Sequence, residues 1–206
     1  MDTPSLLSRF TRRMTGKRPP APHHRRSFFE HLEDRHLLSI DLVSVSLSGV
    51  VGNNGSDSAC ISGDGRYVAF ESVASDLVAG DTMSSDIFVR DLIAGTTVRV
   101  STDSVGNQVT GDSERPSISR DGRYVTFNSD AAGLVPGDTN GEFDIFVKDR
   151  LSGAVTRAST DSAGNEANNY SYDPVISGDG RYVAFRSKAR SEERRVGKEG
   201  RSRWWP

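Results

Sequence analysis

The sequence predicts an all-β fold: a partial β-propeller of two four-stranded blades plus a half-blade, with disordered N- and C-terminal tails. Three observations lead there. One nonapeptide, Ser62-Gly63-Asp64-Gly65-Arg66-Tyr67-Val68-Ala69-Phe70, returns as Ser119-Arg120-Asp121-Gly122-Arg123-Tyr124-Val125-Thr126-Phe127 and as Ser177-Gly178-Asp179-Gly180-Arg181-Tyr182-Val183-Ala184-Phe185. Its glycines Gly65, Gly122 and Gly180 are spaced by 57 and then 58 residues, and a fixed period of that size marks a repeat architecture. Apolar residues make up 34% of the chain against 20 glycines, a balance that suits a turn-rich β protein.

The elements follow in order. Residues 1–26 are basic and rich in Pro, Ser and Thr, without periodicity, and read as disordered. Leu42-Val43-Ser44-Val45-Ser46-Leu47 alternates apolar and polar and reads as a leading strand, followed by a loop over 49–58. In the first repeat, residues 59–62 form a short strand and Asp64-Gly65 a two-residue hairpin turn, because that pair tolerates positive φ. Residues 66–72 alternate, with Val68 and Phe70 on a buried face and Tyr67, Ala69 and Glu71 on a partly wet one. A loop over 73–85, a third strand over 86–91, a turn at Gly95 and a fourth strand over 97–101 complete the unit.

The second repeat copies this order through residues 116–119, 123–129, 144–149 and 155–159, and the third begins at Pro174 and stops after Ser187. Four antiparallel strands joined by tight turns make a propeller blade. One such sheet cannot bury both faces alone, so neighbours must stack. The chain therefore divides into a basic N-terminus with a motif (1–40), a leading strand and loop (41–58), two blades (59–115 and 116–173), a truncated blade (174–189) and a tail (190–206). The position after the second-strand Phe is Glu71, Asn128 or Arg186, a chemical variety that predicts solvent exposure.

Charge is uneven. The chain has a net charge of −2, yet both ends are basic, so the acid excess lies in the repeats. An acidic middle argues against nucleic acid, whose phosphates need a basic face, and fits cations or a solvated surface. No apolar run reaches the length of a membrane-spanning helix. The lone Cys60 sits at a strand position and reads as a small buried apolar residue.

Chemistry has few places to sit. His23, His24, His31 and His36 all precede the repeats, which therefore lack an imidazole base or ligand. Gly111-Asp112-Ser113 lies in an inter-blade loop without a histidine and reads as a solvated loop, not a hydrolase site. Asp138, Asn140 and Asp144 stand at positions 1, 3 and 7 of a short loop, with Gly141 allowing a sharp bend, and offer hard oxygen ligands for calcium. The plainer reading of the same residues is an Asx-type turn before the third strand. The equivalent first-repeat loop, from Asp81 to Asp86, lacks the Asn-Gly pair. The pairs Asp86/Asp91 and Asp144/Asp149 bracket strands and read as partners of backbone amides and of Arg90 or Lys148. Beyond calcium, no cofactor is expected.

Three stretches carry resemblances. Ile-Ser-x-Asp-Gly-Arg-Tyr-Val-x-Phe-x-Ser, followed by Asp-Ile-Phe-Val-Arg/Lys-Asp, resembles the TolB-like, or WD40-like, propeller repeat over residues 59–187. True WD repeats differ, since Trp204 and Trp205 lie outside the repeats. The resemblance implies a six- or seven-bladed propeller used mostly for protein contacts, of which this chain holds a part. Leu32-Glu33-Asp34-Arg35-His36-Leu37-Leu38-Ser39 resembles the LEPR-x-LL motif of large exported proteins, with Asp34 in place of the proline, and implies export to the periplasm, cell surface or outside. The same stretch also reads as a short amphipathic helix. The tail opening with Arg190-Ser191-Glu192-Glu193 resembles a translated sequencing adapter and reads as an artefact; a genuine basic tail is its rival. Together these imply an exported, non-catalytic propeller fragment that binds a protein or a cell-surface polymer. The alternative is the propeller domain of a larger hydrolase or peptidase whose catalytic domain lies downstream.

Overall fold

A computed structural model describes residues 41–189 and the backbone of Ser202–Arg203. The export-type motif, the four histidines, both disordered-tail expectations and the adapter-like tail otherwise lie outside the described residues. The described chain is all-β. The strands β1 (Ser56–Ile61), β2 (Tyr67–Ser72), β3 (Asp86–Asp91) and β4 (Thr96–Arg99) form one antiparallel sheet in chain order. The strands β5 (Ser113–Ile118), β6 (Tyr124–Ser129), β7 (Asp144–Asp149) and β8 (Val155–Arg157) form its copy. A third sheet holds β9 (Ser171–Ile176), β10 (Tyr182–Ser187) and β11 (Ser202–Arg203) in the order β11-β10-β9. The molecule is a partial propeller: two complete blades and the start of a third.

The repeated nonapeptide folds each β1–β2-type hairpin for a local reason. Ser62 Oγ donates to Asp64 at 2.5 Å, the Arg66 amide donates to the same carboxylate, and the Tyr67 amide donates back to Ser62 Oγ at 2.9 Å. The same bonds recur at Ser119 and Asp121 and at Ser177 and Asp179. Gly65, Gly122 and Gly180 hold φ of 72°, 71° and 71°, the left-handed region an L residue enters only under strain. Arg66 then lies 4.8 Å over the Tyr67 ring and grips Asp91 at the end of β3 with Nε and Nη2. Arg123 does the same with Tyr124 and Asp149.

Several expectations are corrected. The stretch from Leu42 to Leu47 is not a strand: a single bridge joins Val45 to Val51, because the chain turns back at once through Gly49 and Ser46. Bridges at Thr102/Gln108 and Thr160/Glu166 recur at the repeat spacing, so residues 41–55 copy the inter-blade loop. The first strand of each blade starts earlier than expected, at Ser56, Ser113 and Ser171. A bulge in each lets it do so: Ser58, Arg115 and Asp173 hold φ near 52°, 53° and 55°, and the pairing register slips beside them. The fourth strands are shorter than expected, ending at Arg99 and Arg157.

The second-strand faces also differ from expectation. Ala69 is fully buried, not wet, because it packs with Ile87, Val89 and Val100 against Val125, Phe127 and Phe146 of the second blade. Asn128 is buried and Glu71 half-buried, so of the three equivalent residues Arg186 alone is exposed. Stacking buries both faces of a blade at once, which an isolated alternating pattern cannot reveal. A second layer, Ile145, Val147 and Ala158 against Ile176 and Val183, joins the second blade to the third. Each join is keyed at the turn. The Tyr67 ring lies where a Cβ on Gly122 would stand, and the Tyr124 ring where a Cβ on Gly180 would stand.

Candidate functional site

The loop singled out for calcium sits between β6 and β7, and the structure adds two residues to it. Asp138 and Asp144 come together as expected, and Glu166, delivered by the next inter-blade loop, joins them. One carboxylate oxygen from each lies within 4.8 Å of the others. Arg157, at the end of β8, points its Nη1 into the middle of the set. It stands 2.9 Å from Glu166 and 3.5 Å from both Asp138 and Asp144. The guanidinium therefore supplies the positive charge at that point.

Asn140 meets the set through its amide nitrogen, not its oxygen: Nδ2 lies 3.5 Å from Asp144 Oδ2. Its Oδ1 accepts from the Glu142 amide at 2.7 Å, an Asx-type turn, and its Nδ2 donates to the Ala167 carbonyl at 2.8 Å. Glu166 accepts from the amides of Thr139 and Asn140 and from the Thr139 hydroxyl, so it ties the loop to the next repeat. Ser159 Oγ donates to Asp144 at 2.5 Å and accepts the Ile145 amide, fixing the start of β7. The first blade repeats the plan with Arg99 bonded to Asp81 at 2.6 Å, Ser101 to Asp86, and Gln108 in the place of Glu166. A sequence search for ligands by loop spacing misses Glu166, which is a full loop away. The period could have found it, since Gln108 and Glu166 occupy the same place in consecutive repeats.

The electrostatics follow from burial. Burial pushes Asp138 up to about 7, and the neighbouring Glu166 and Asp144 push the same way against Arg157. Burial works to raise Glu166, but the Thr139 and Asn140 donors and the neighbouring Asp138 bring it down to about 2. Of the two, Asp138 is the one that takes up a proton as pH falls through about 7. Burial likewise raises Asp86 to about 6. Asp91 and Asp149 are lowered, first by the gripping arginines and then by backbone amides.

The other sequence candidates have structural partners. Asp91 and Asp149 bond Arg66 and Arg123, not Arg90 and Lys148; Arg90 donates to Thr97, and the buried Lys148 donates to Thr102 and the Asp103 carbonyl. Ser113 is not a solvated loop residue: it opens β5, buried, with its hydroxyl on Ser129. Cys60 is half-buried, donates to the Pro116 carbonyl at 3.4 Å, and is pushed up to about 11 by burial, which makes it a poor nucleophile.

No protein-family model matches the chain, and no curated protein matches it. Solved structures do. A TolB protein from Agrobacterium tumefaciens matches at 23% identity with a TM-score of 0.44, over 78% of this chain and 46% of that one. The β-propeller domain of the Trilobed protease from Pyrococcus furiosus matches at 15% identity with a TM-score of 0.40, over 66% of this chain and 35% of that one. The tricorn protease matches at 16% identity with a TM-score of 0.40, over 71% of this chain and 12% of that one. The chain thus spans less than half the length of each. Among the described residues no helix is long and apolar enough to cross a membrane.

Three outcomes are expected. Asp138 titrates near 7 when folded and near 3.8 when unfolded, so between those values the folded chain keeps a proton that the unfolded chain has lost. Its contribution to stability is therefore fully present below the lower value and falls as pH rises through the window. In Asp138→Asn, which has no carboxyl proton to lose, denaturant melts between pH 5 and pH 7 should show a shallower decline than in the wild type. In calorimetry, calcium added to the wild type should give no binding heat at millimolar concentration, because Arg157 stands among the carboxylates. Arg157→Ala should lose about 3 kcal/mol of stability and recover part of it with calcium.

Proposed function

We propose that the chain is part of an exported, non-catalytic propeller scaffold that binds a protein or a cell-surface polymer. The observation that carries this is the surface made by the Asp-Gly turns. Arg120 takes the place that Gly63 and Gly178 take in the other two repeats, and it is exposed. Its backbone amide donates to the Gly178 carbonyl, and its side chain lies against Gly63, so turns from all three blades meet around one cation. Beside it opens a groove of about 440 Å³ lined by Arg120, Ser177, Gly178, Asp179 and Tyr182. A cation, a carboxylate and a tyrosine on rigid turns suit polar recognition with little ordering cost.

The non-catalytic part of the reading is supported by how the carboxylates are used. Asp86, Asp91, Asp138, Asp144 and Asp149 each have an arginine within reach as well as hydroxyl, amide or carboxyl partners. Export rests on the motif resemblance at residues 32–39.

The test is cosedimentation with peptidoglycan sacculi and with envelope protein fractions. Retention should fall at least about tenfold in Arg120→Glu, a loss of roughly 1.4 kcal/mol, while circular dichroism is unchanged. Equal retention of the two proteins would remove the turn surface from the reading.

A further inference from the structure

We infer that the turn surface binds a protein, through a segment that carries acidic and apolar side chains, with Arg120 taking one carboxylate. The inference rests on the proposed binding role of that surface and names the class of its partner. Arg120 belongs to the second blade, which has a blade on either side, so both of its flanking turns are present. Its stem lies where a Cβ on Gly63 would stand, and its Nε and Nη2 lie beside Gly178. Among the described residues its guanidinium has no hydrogen-bond or ion-pair partner. Other arginines at these turns do: Arg66 holds Asp91, Arg123 holds Asp149, and Arg150 donates to the Gly122 carbonyl.

A free guanidinium laid along two glycine turns is a pre-ordered fork of donors, and a carboxylate matches it with two parallel bonds. A phosphate suits the place less well, because the exposed Asp121 and Asp179 on the same turns repel a second negative charge. The charge distribution along the blades points the same way. At the opposite ends of the strands, in and beside the β2–β3-type loops, Asp76, Asp81, Asp112, Asp130, Asp138 and Glu142 make an acidic side. An acidic partner is turned away from that side and toward the turns.

The apolar part comes from a repeated position. Ile93 and Leu151 stand in the turns between β3 and β4 and between β7 and β8, 78% and 79% exposed. These turns open at Asp91 and Asp149, which Arg66 and Arg123 tie to the Asp-Gly turns, so both apolar side chains share the side of Arg120. A single exposed leucine is ordinary. The same exposure at the same place in both complete blades, on the side of an unpaired cation, fits a protein chain. A uronate polymer offers carboxylates but no apolar side chains to cover the two residues.

A microarray of random-sequence peptides, probed with the whole chain and with its Arg120→Glu variant, tests this. Arg120 is exposed, so the variant should keep the wild-type circular dichroism. The peptides lost in the variant should be enriched in Asp or Glu together with Leu, Ile or Phe. In fluorescence anisotropy the strongest of them should weaken at least about tenfold with Arg120→Glu, and as much when its own acids are replaced by amides. It should weaken at least about threefold when Ile93→Ser and Leu151→Ser are combined. A variant that loses no peptides, lost peptides without an acid excess, or an unchanged affinity in the double variant overturns the inference. If retention on sacculi still falls with Arg120→Glu while no peptide responds, the surface stands and its partner is a polymer. If neither responds to Arg120, the surface itself is removed.

Discussion

The constraint on which the structure depends is that no blade can cover its own faces. Each sheet has apolar residues on both sides, Phe70 and Phe88 on one and Ala69, Ile87 and Val89 on the other. A lone four-stranded sheet would leave one of these sides wet, at about 25 cal/mol for each Å² of apolar surface exposed. The tyrosine-on-glycine contact sets the spacing and rotation at which the next sheet arrives. The repeated turn is thus both a local hairpin and the reference point for the next blade.

Around this stacking the polar residues do local work. Arg66 and Arg123 bind strand ends together at the surface, where such pairs contribute little by themselves. Arg99 and Arg157 act deeper, holding carboxylates of the β2–β3-type loop against the outgoing fourth strand. In the second blade Glu166 extends that cluster into the following loop, so the loop, the strand and the next repeat are tied through one guanidinium. Burial and the neighbouring carboxylates raise Asp138, so it is the member of the cluster that gives up its charge first as pH falls. The oxygen atoms that the loop spacing suggested for a cation are held by Arg157.

Much of this was legible in the sequence, and for a physical reason. The period and the place of each Asp-Gly turn are local or self-copying signals that all three repeats obey. Each turn is nonetheless a four-residue loop in which only the glycine is left-handed, and the strand order holds in the two complete blades. What the sequence hid depends on contacts between repeats. The alternation around Phe70 predicts one wet face, but a neighbour covers both. Asn128 looks exchangeable with Glu71 and Arg186, yet it is buried because a blade lies on either side of it, whereas Arg186 is on the last sheet. The left-handed backbone of Ser58, Arg115 and Asp173 has no glycine to announce it. Glu166 is invisible to a search by loop spacing because the fold, not the spacing, brings it to Asp138.

The most direct test of the stacking account compares two alanines in equivalent turns. Gly65 and Gly122 share the same backbone geometry, but the Tyr67 ring lies where a Cβ on Gly122 would stand, and nothing described lies within 4 Å of that place on Gly65. Chemical denaturation of Gly65→Ala should report the left-handed backbone cost alone, about 1 kcal/mol. Gly122→Ala should lose that and roughly 1–3 kcal/mol more, as the ring is forced off the turn and the two blades part. Equal losses in the two variants would contradict the claim that the tyrosine–glycine contact holds one blade to the next.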